Sequence, residues 1–125
     1  MYFTFSSSFS VLGHFEQAVS CLEHQIGIAR KLADRQMEAS AASGLGSVYQ
    51  QMNEPSKALN MHMVDLRLAE ETANAEAQCR ALGNLGATHE ALSNLDEAVH
   101  FQEQHLSMAA QIGDKSAKTK VRLKL

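Results

Sequence analysis

The chain predicts an all-α solenoid, and three features of its 125 residues carry that prediction. The first is an internal repeat. At a spacing of 40 residues, Ala18, Ala58 and Ala98 coincide, as do Ile26, Leu66 and Leu106, then Ala29, Ala69 and Ala109, then Asp34, Asn74 and Asp114. Leu45-Gly46 falls on Leu85-Gly86 in the same way. A repeat of this length means one supersecondary unit stacked on copies of itself. The second feature is composition: 45% hydrophobic, 6% aromatic, no tryptophan and a single proline, with helix formers abundant. The third is the pairing of mid-helix glycines with alanines one helix later, which suits antiparallel helices lying close together.

Taken in order, each 40-residue unit divides into two helical patterns. Asp34 is placed to cap a helix whose apolar face holds Ala41, Ala42, Leu45, Gly46, Tyr49 and Met52. Pro55 then falls at the first position of a second helix, where a missing N–H costs nothing. That helix carries Ala58, Leu59, Leu66, Leu68 and Ala69. Asn74 caps the next helix, of about 17 residues, with Ala81, Leu82, Leu85, Gly86, His89 and Leu92 on one face. Asn94 and Glu97 have the form of a capping box before a stripe of Leu95, Ala98, Val99, Phe101, Leu106, Met108, Ala109 and Ile112. Gly113 is expected to end this helix and Asp114 to cap another.

The chain therefore divides into residues 1–12, an atypical first helix or an alternative N-terminus; 13–34, the second helix of a first unit; 35–74 and 75–114, two complete units; and 115–125, a truncated first helix of a further unit. Thr4 and Ser6-Ser7-Ser8 are weak helix formers, which sets the first segment apart. Glycine inside a helix costs about 1 kcal/mol against alanine. Close approach of a partner helix offsets that cost, with Ala58 answering Gly46 and Ala98 answering Gly86.

Charge is unevenly spread. All 14 acidic residues lie in 1–114 with six basic ones, while Lys115, Lys118, Lys120, Arg122 and Lys124 fill the end. An acidic body argues against nucleic acid, which needs a basic face to displace counterions. No window reaches the roughly 18 apolar residues of a membrane span. The first segment lacks a basic start, since the first Lys or Arg is Arg30, so it is not read as a signal peptide and a cytoplasmic chain is expected. Cys21 and Cys79 are expected to be reduced and buried. His14, His24, His62, His89, His100 and His105 form no i, i+4 pair and no zinc-like spacing with cysteine, so no metal and no cofactor is expected; all six are read as surface or partly buried, with His89 a packing residue. Cys21 and His24 stand one turn apart without a third orienting group. No arrangement supports catalysis, and the chain is read as no enzyme.

Leu45-Gly46, Tyr49 and Ala58, with Leu85-Gly86, His89 and Ala98, resemble the tetratricopeptide repeat. The 40-residue length, and the strings RALGNLGATHEAL (80–92) and AVHFQEQHLSMAAQIGD (98–114), are similar to a long-repeat branch of that family found in Pins-type polarity adaptors. The resemblance covers 12–120. It departs where Asp65 and His105 stand in place of the alanine of the shorter repeat. It implies a right-handed superhelix whose first helices line a concave, peptide-binding face. The residues there are Ser40, Gly44, Ser47, Gln50 and Gln51 in one unit, and Arg80, Asn84, Ala87, Thr88, Glu90 and Ala91 in the next. Arginine can grip a carboxylate in two-pronged fashion, and asparagine can hold a peptide backbone through its donor and acceptor. The function implied is a scaffold that docks an acidic or amphipathic peptide of a protein partner, in a cytoskeletal or cell-division setting. A truncated piece of a longer array is the alternative, without a binding role of its own or self-associating through uncapped apolar ends.

Overall fold

A computed structural model describes the backbone from Tyr2 to Lys124 and the side chains of residues 13–115. Five helices follow one another: α1 (Tyr2–Leu32), α2 (Arg35–Gln51), α3 (Pro55–Glu71), α4 (Ala75–Ala91) and α5 (Leu95–Lys124). Each packs on its neighbours in sequence, α1 on α2, α2 on α3, α3 on α4 and α4 on α5. The fold is an all-α solenoid of antiparallel helix pairs.

Turns recur every 20 residues. Ala33, Asn53, Ala73 and Ser93 adopt positive φ of 55°, 61°, 53° and 62°. At each, the following N–H reaches back five residues: Asp34 to the Ala29 carbonyl, Glu54 to Tyr49, Asn74 to Ala69 and Asn94 to His89, at 2.8–2.9 Å. This is the Schellman closure, and it leaves the next residue free to cap the following helix. Asp34 and Asn74 do so as expected, accepting from the N–H groups of Met37 and Ala77. Pro55 stands at the start of α3. Asn94 and Glu97 do not form the expected capping box; the Asn94 side-chain nitrogen lies 3.3 Å from His89 Nδ1 instead.

The expected breaks at the ends do not occur. Gly13 occupies the turn register of Asn53 and Ser93, and Gly113 that of Ala33 and Ala73, yet both stay helical, with no glycine at positive φ. Gly113 ends no helix, Asp114 caps none, and residues 12 and 13 lie within one continuous α1. Turning back is favourable only when the next helix buries enough apolar surface to repay the interrupted helix. The side chains of residues 1–12, where the atypical segment was expected, lie outside the described residues.

The core is small-residue rich. Ala29, Ala42, Ala58, Ala81 and Leu85 are fully buried, with Ala41, Leu45, Leu68 and Ala69 nearly so. Burying Leu85 alone contributes about 1.5–3 kcal/mol. Ile26, Ala41, Ala42 and Leu45 form one cluster, flanked by Val19, Leu22, Tyr49, Met61 and Val64. The α5 stripe is a correction to the sequence reading: Leu95, Val99 and Leu106 are 65%, 53% and 67% exposed. Their register mates Val19 and Ile26 are covered by α2, whereas among the described residues α5 packs chiefly on α4.

The glycines pack closely: Gly46 against His62 instead of the expected Ala58, and Gly86 against Gln102 as well as the expected Ala98, whose carbonyl would lie 3.5 Å from a Cβ there. A Cβ on Gly46 would lie 2.5 Å from His62 Cε1, and one on Gly86 2.7 Å from Gln102 Cγ. His62 and Gln102 stand one turn beyond Ala58 and Ala98. The alanines remain buried and let the backbones approach, while the neighbouring larger side chain fills the groove each glycine leaves.

Candidate functional site

Helices α2 and α4 present a cleft of about 330 Å³ between their N-terminal halves. Gln36, Ala39 and Ser40 line it from α2, Ala77 and Arg80 from α4, and Ala69 and Thr72 close it from the end of α3. Two of the residues expected to bind peptide, Ser40 and Arg80, therefore share one cleft.

Arg80 is half exposed, and its Nη2 donates to both carboxylate oxygens of Asp65, at 3.3 and 3.4 Å. Asp65 lies on α3 and is fully buried. Burial pushes its carboxyl pKa up, and the Arg80 guanidinium partly offsets this. One nitrogen of Arg80 is thus anchored from below, while arginine has five N–H donors in all. A pre-positioned guanidinium with donors to spare suits a carboxylate ligand. The clue in the sequence is Asp65 itself: an acid in the apolar stripe of a helix demands a cation, and Arg80 is the one that reaches it.

The remaining expected residues divide. Ser47 and Asn84 are half-buried. Thr88 is fully buried; its hydroxyl donates to the Asn84 carbonyl at 2.7 Å and accepts from Gln50 Nε2 at 2.8 Å. Thr88 and Gln50 hence tie α2 to α4 at the far end of the face and are occupied with each other. Glu90 is exposed and accepts from Gln102 Nε2 at 3.4 Å, so it leans toward α5. Gln36, Ala39 and Ala77 were not among the expected residues. Gln36 and Ala77 lie one turn N-terminal to Ser40 and Arg80, and Ala39 directly precedes Ser40.

The histidines and cysteines depart from expectation in two places. His62 is no surface histidine. It is fully buried beside Gly46, and neither ring nitrogen has a hydrogen-bond partner among the described residues. Burial, aided by repulsion from Arg80, lowers its pKa to about 4, so it is neutral near pH 7. Cys21 is exposed rather than buried, and Cys79 is half-buried. The Cys79 Sγ lies 3.5 Å from His105 Nδ1, but that nitrogen is 2.8 Å from the Cys79 carbonyl. An Nδ1–H donating to the carbonyl has no lone pair left to take the thiol proton, so the contact does not make a nucleophile. His89 packs as expected, stacked on Phe101 with ring centroids 5.3 Å apart. Among the described residues no group of three or more His, Cys, Asp or Glu could hold a metal, and no helix is long and apolar enough to cross a membrane.

Comparison with known proteins agrees with this architecture. Residues 79–112 match the tetratricopeptide repeat family. Human G-protein-signaling modulator 1 is 30% identical over 93 residues, covering 74% of this chain and 14% of that protein. The chain thus spans a small fraction of this curated relative. The crystal structure of the TPR domain of Arabidopsis FLU superposes with a TM-score of 0.74 at 20% identity, covering 86% of this chain and 91% of that one. TPR folds are in general protein–protein interaction modules rather than enzymes. Residues 79–112 carry a tetratricopeptide repeat, and the chain has the all-α solenoid fold of a TPR domain.

Proposed function

We propose that the chain is a non-enzymatic interaction module whose α2–α4 face is the concave side of a TPR superhelix and docks an acidic or amphipathic peptide of a protein partner. The observation that carries this is the cleft shared by Ser40 and Arg80, with the guanidinium held from below by buried Asp65. Gln36, Ser40 and Arg80 offer donors at one end, and half-buried Ser47 and Asn84 continue the polar track. The unit division proposed for it is 13–34, 35–74 and 75–114, with 1–12 and 115–125 as flanking pieces. The strings at 80–92 and 98–114 resemble tetratricopeptide repeat protein 28, and the 40-residue length resembles the long-repeat branch that also holds Pins-type adaptors. That similarity supports a cytoplasmic setting linked to the cytoskeleton or to cell division.

The test avoids Arg80. Its removal leaves the Asp65 carboxylate buried without a cation, so lost binding and lost stability are mixed. Ser40 is exposed, and changing it leaves the buried pair intact. Titrating a Glu-rich amphipathic helical peptide, Ser40→Glu should weaken binding about tenfold, or about 1.4 kcal/mol. Ser40→Lys should strengthen it, with both melting curves unchanged. Equal affinity in all three proteins, or amide shifts that gather around Leu66 and Met108 between α3 and α5, contradicts the proposal.

A further inference from the structure

We infer that the acidic partner segment does not end in the α2–α4 cleft but continues over the ends of α2 and α3 into a second, arginine-lined cleft behind it. This rests on the α2–α4 face being the docking site. The second cleft has a volume of about 240 Å³. Arg30 lines it from the end of α1, Arg35 and Glu38 from the first turn of α2, and Arg67 and Glu71 from the end of α3. It backs directly on the first. Arg35 and Gln36, Glu38 and Ala39, Leu68 and Ala69, and Glu71 and Thr72 are neighbours in sequence, and in each pair the first lines this cleft and the second the α2–α4 cleft. The start of α2 and the end of α3 therefore form a ridge between the two.

Charge selects the occupant. Over 1–114 the chain carries 14 acidic residues and six basic ones, yet all four arginines of that span line one cleft or the other. Arg80 lies in the first, and Arg30, Arg35 and Arg67 in the second. Two of these three are matched: Arg30 Nε donates to Glu38 Oε2 at 3.0 Å, and Arg35 Nη1 donates to Glu71. Arg67 is exposed and has no hydrogen bond or ion pair to another described residue. The helix macrodipole favours a cation only in the last turn, and Arg67 stands ahead of the last turn of α3. The cleft thus keeps one positive charge that its own carboxylates do not balance, and its paired arginines hold N–H donors in reserve. An acidic group fits there. The ridge is about one helix wide, roughly 10 Å, which an extended segment crosses in about three or four residues. The partner segment therefore carries two acidic patches at about that separation, one for Arg80 and one for Arg67.

Calorimetric titration of the full chain tests this with the Glu-rich amphipathic helical peptide, bare or extended at one end or the other by a pair of glycines and three glutamates. The tail at one end should tighten binding about fivefold, as exposed ion pairs do. The same tail with glutamine for glutamate should add nothing. Arg67→Glu and Arg67→Gln should each cancel the gain, with melting unchanged because the side chain is exposed and unpaired among the described residues. Both should leave the bare peptide within about twofold of its parent affinity, since at about 0.15 M salt the screening length is about 8 Å. Ser40→Glu should weaken bare and tailed peptides alike. No gain from the tail at either end, a gain that survives both Arg67 changes, or an equal loss for bare and tailed peptides overturns the inference while the Ser40 effect still stands. Loss of the Ser40 effect on both peptides removes the docking face itself, and the second cleft's role with it.

Discussion

The two hairpins α2–α3 and α4–α5 set like-numbered residues on like turns, but they fill their interiors differently. Opposite its mid-helix glycine the first places His62, fully buried and unpartnered; the second places Gln102, exposed and bonded to Glu90. One turn further on, the first buries Asp65 against Arg80, while the second sets His105 against the Cys79 backbone. The reason is coverage. α3 lies between α2 and α4, whereas among the described residues α5 packs chiefly on α4. Register fixes which way a side chain points, and the neighbouring helix decides whether that direction is buried.

Acid should widen this difference most. His62 is held neutral in the fold with a pKa of about 4, against roughly 6.5 when unfolded. Between those values the unfolded chain binds the extra proton, so His62's contribution to stability is full above about pH 6.5 and is lost as pH falls toward 4. The loss is roughly 3 kcal/mol. Asp65 works the other way. Its raised pKa means the folded state takes up its proton first, which returns part of the loss in acid. Replacing His62 by the residue of the other hairpin, His62→Gln, should flatten the pH dependence of urea unfolding between pH 4 and 6.5. An unchanged slope contradicts the buried neutral imidazole.

Next in size is the pair of glycines. In Gly46→Ala the new methyl meets a rigid ring with no room to withdraw, so a loss of about 2 kcal/mol is expected. In Gly86→Ala it meets a flexible, exposed glutamine, and the gain of about 1 kcal/mol in helix propensity offsets the push, leaving stability within about 1 kcal/mol of the parent. Equal melting shifts for the two would mean that the hairpins are filled alike. The smallest effect lies in the turns. Ala73 holds a left-handed conformation that costs a side-chain-bearing residue about 1 kcal/mol. Ala73→Gly should therefore raise stability by about 0.5 kcal/mol after the entropy glycine returns to the unfolded chain.

Much of this was legible in the residues. Asp34, Asn74 and Pro55 marked their helix starts, and Gly46 and Gly86 marked close approach. The Gly86 contact with Ala98 was found, but the nearest neighbours were missed because small residues were matched with small ones, while the groove a glycine leaves is filled by the larger side chain one turn on. Gly113 misled for a different reason. Glycine permits a left-handed turn but does not compel one, and Ala33 and Ala73 make the turn without it because α2 and α4 pack back beyond them. Of the residues the resemblance pointed to, Ser40 and Arg80 line the cleft between α2 and α4. Thr88 was lost to burial, which depends on Gln50 of another helix, and Gln36 was missed because the cleft begins one turn earlier than the repeat pattern suggested.

The repeat makes Ala29, Ala69 and Ala109 equivalent, and the stacking makes them different: 0% and 1% exposed for the first two, open to solvent for the third. Thiol labelling of Ala29→Cys, Ala69→Cys and Ala109→Cys, each with Cys21 and Cys79 changed to serine and kept dilute, measures that directly. Positions 29 and 69 should react slowly and at similar rates, limited by opening of the fold, and position 109 at nearly the rate of a free thiol. Similar rates at all three positions, or slow reaction at 109 alone, would contradict equivalent hairpins stacked in order with α5 left uncovered.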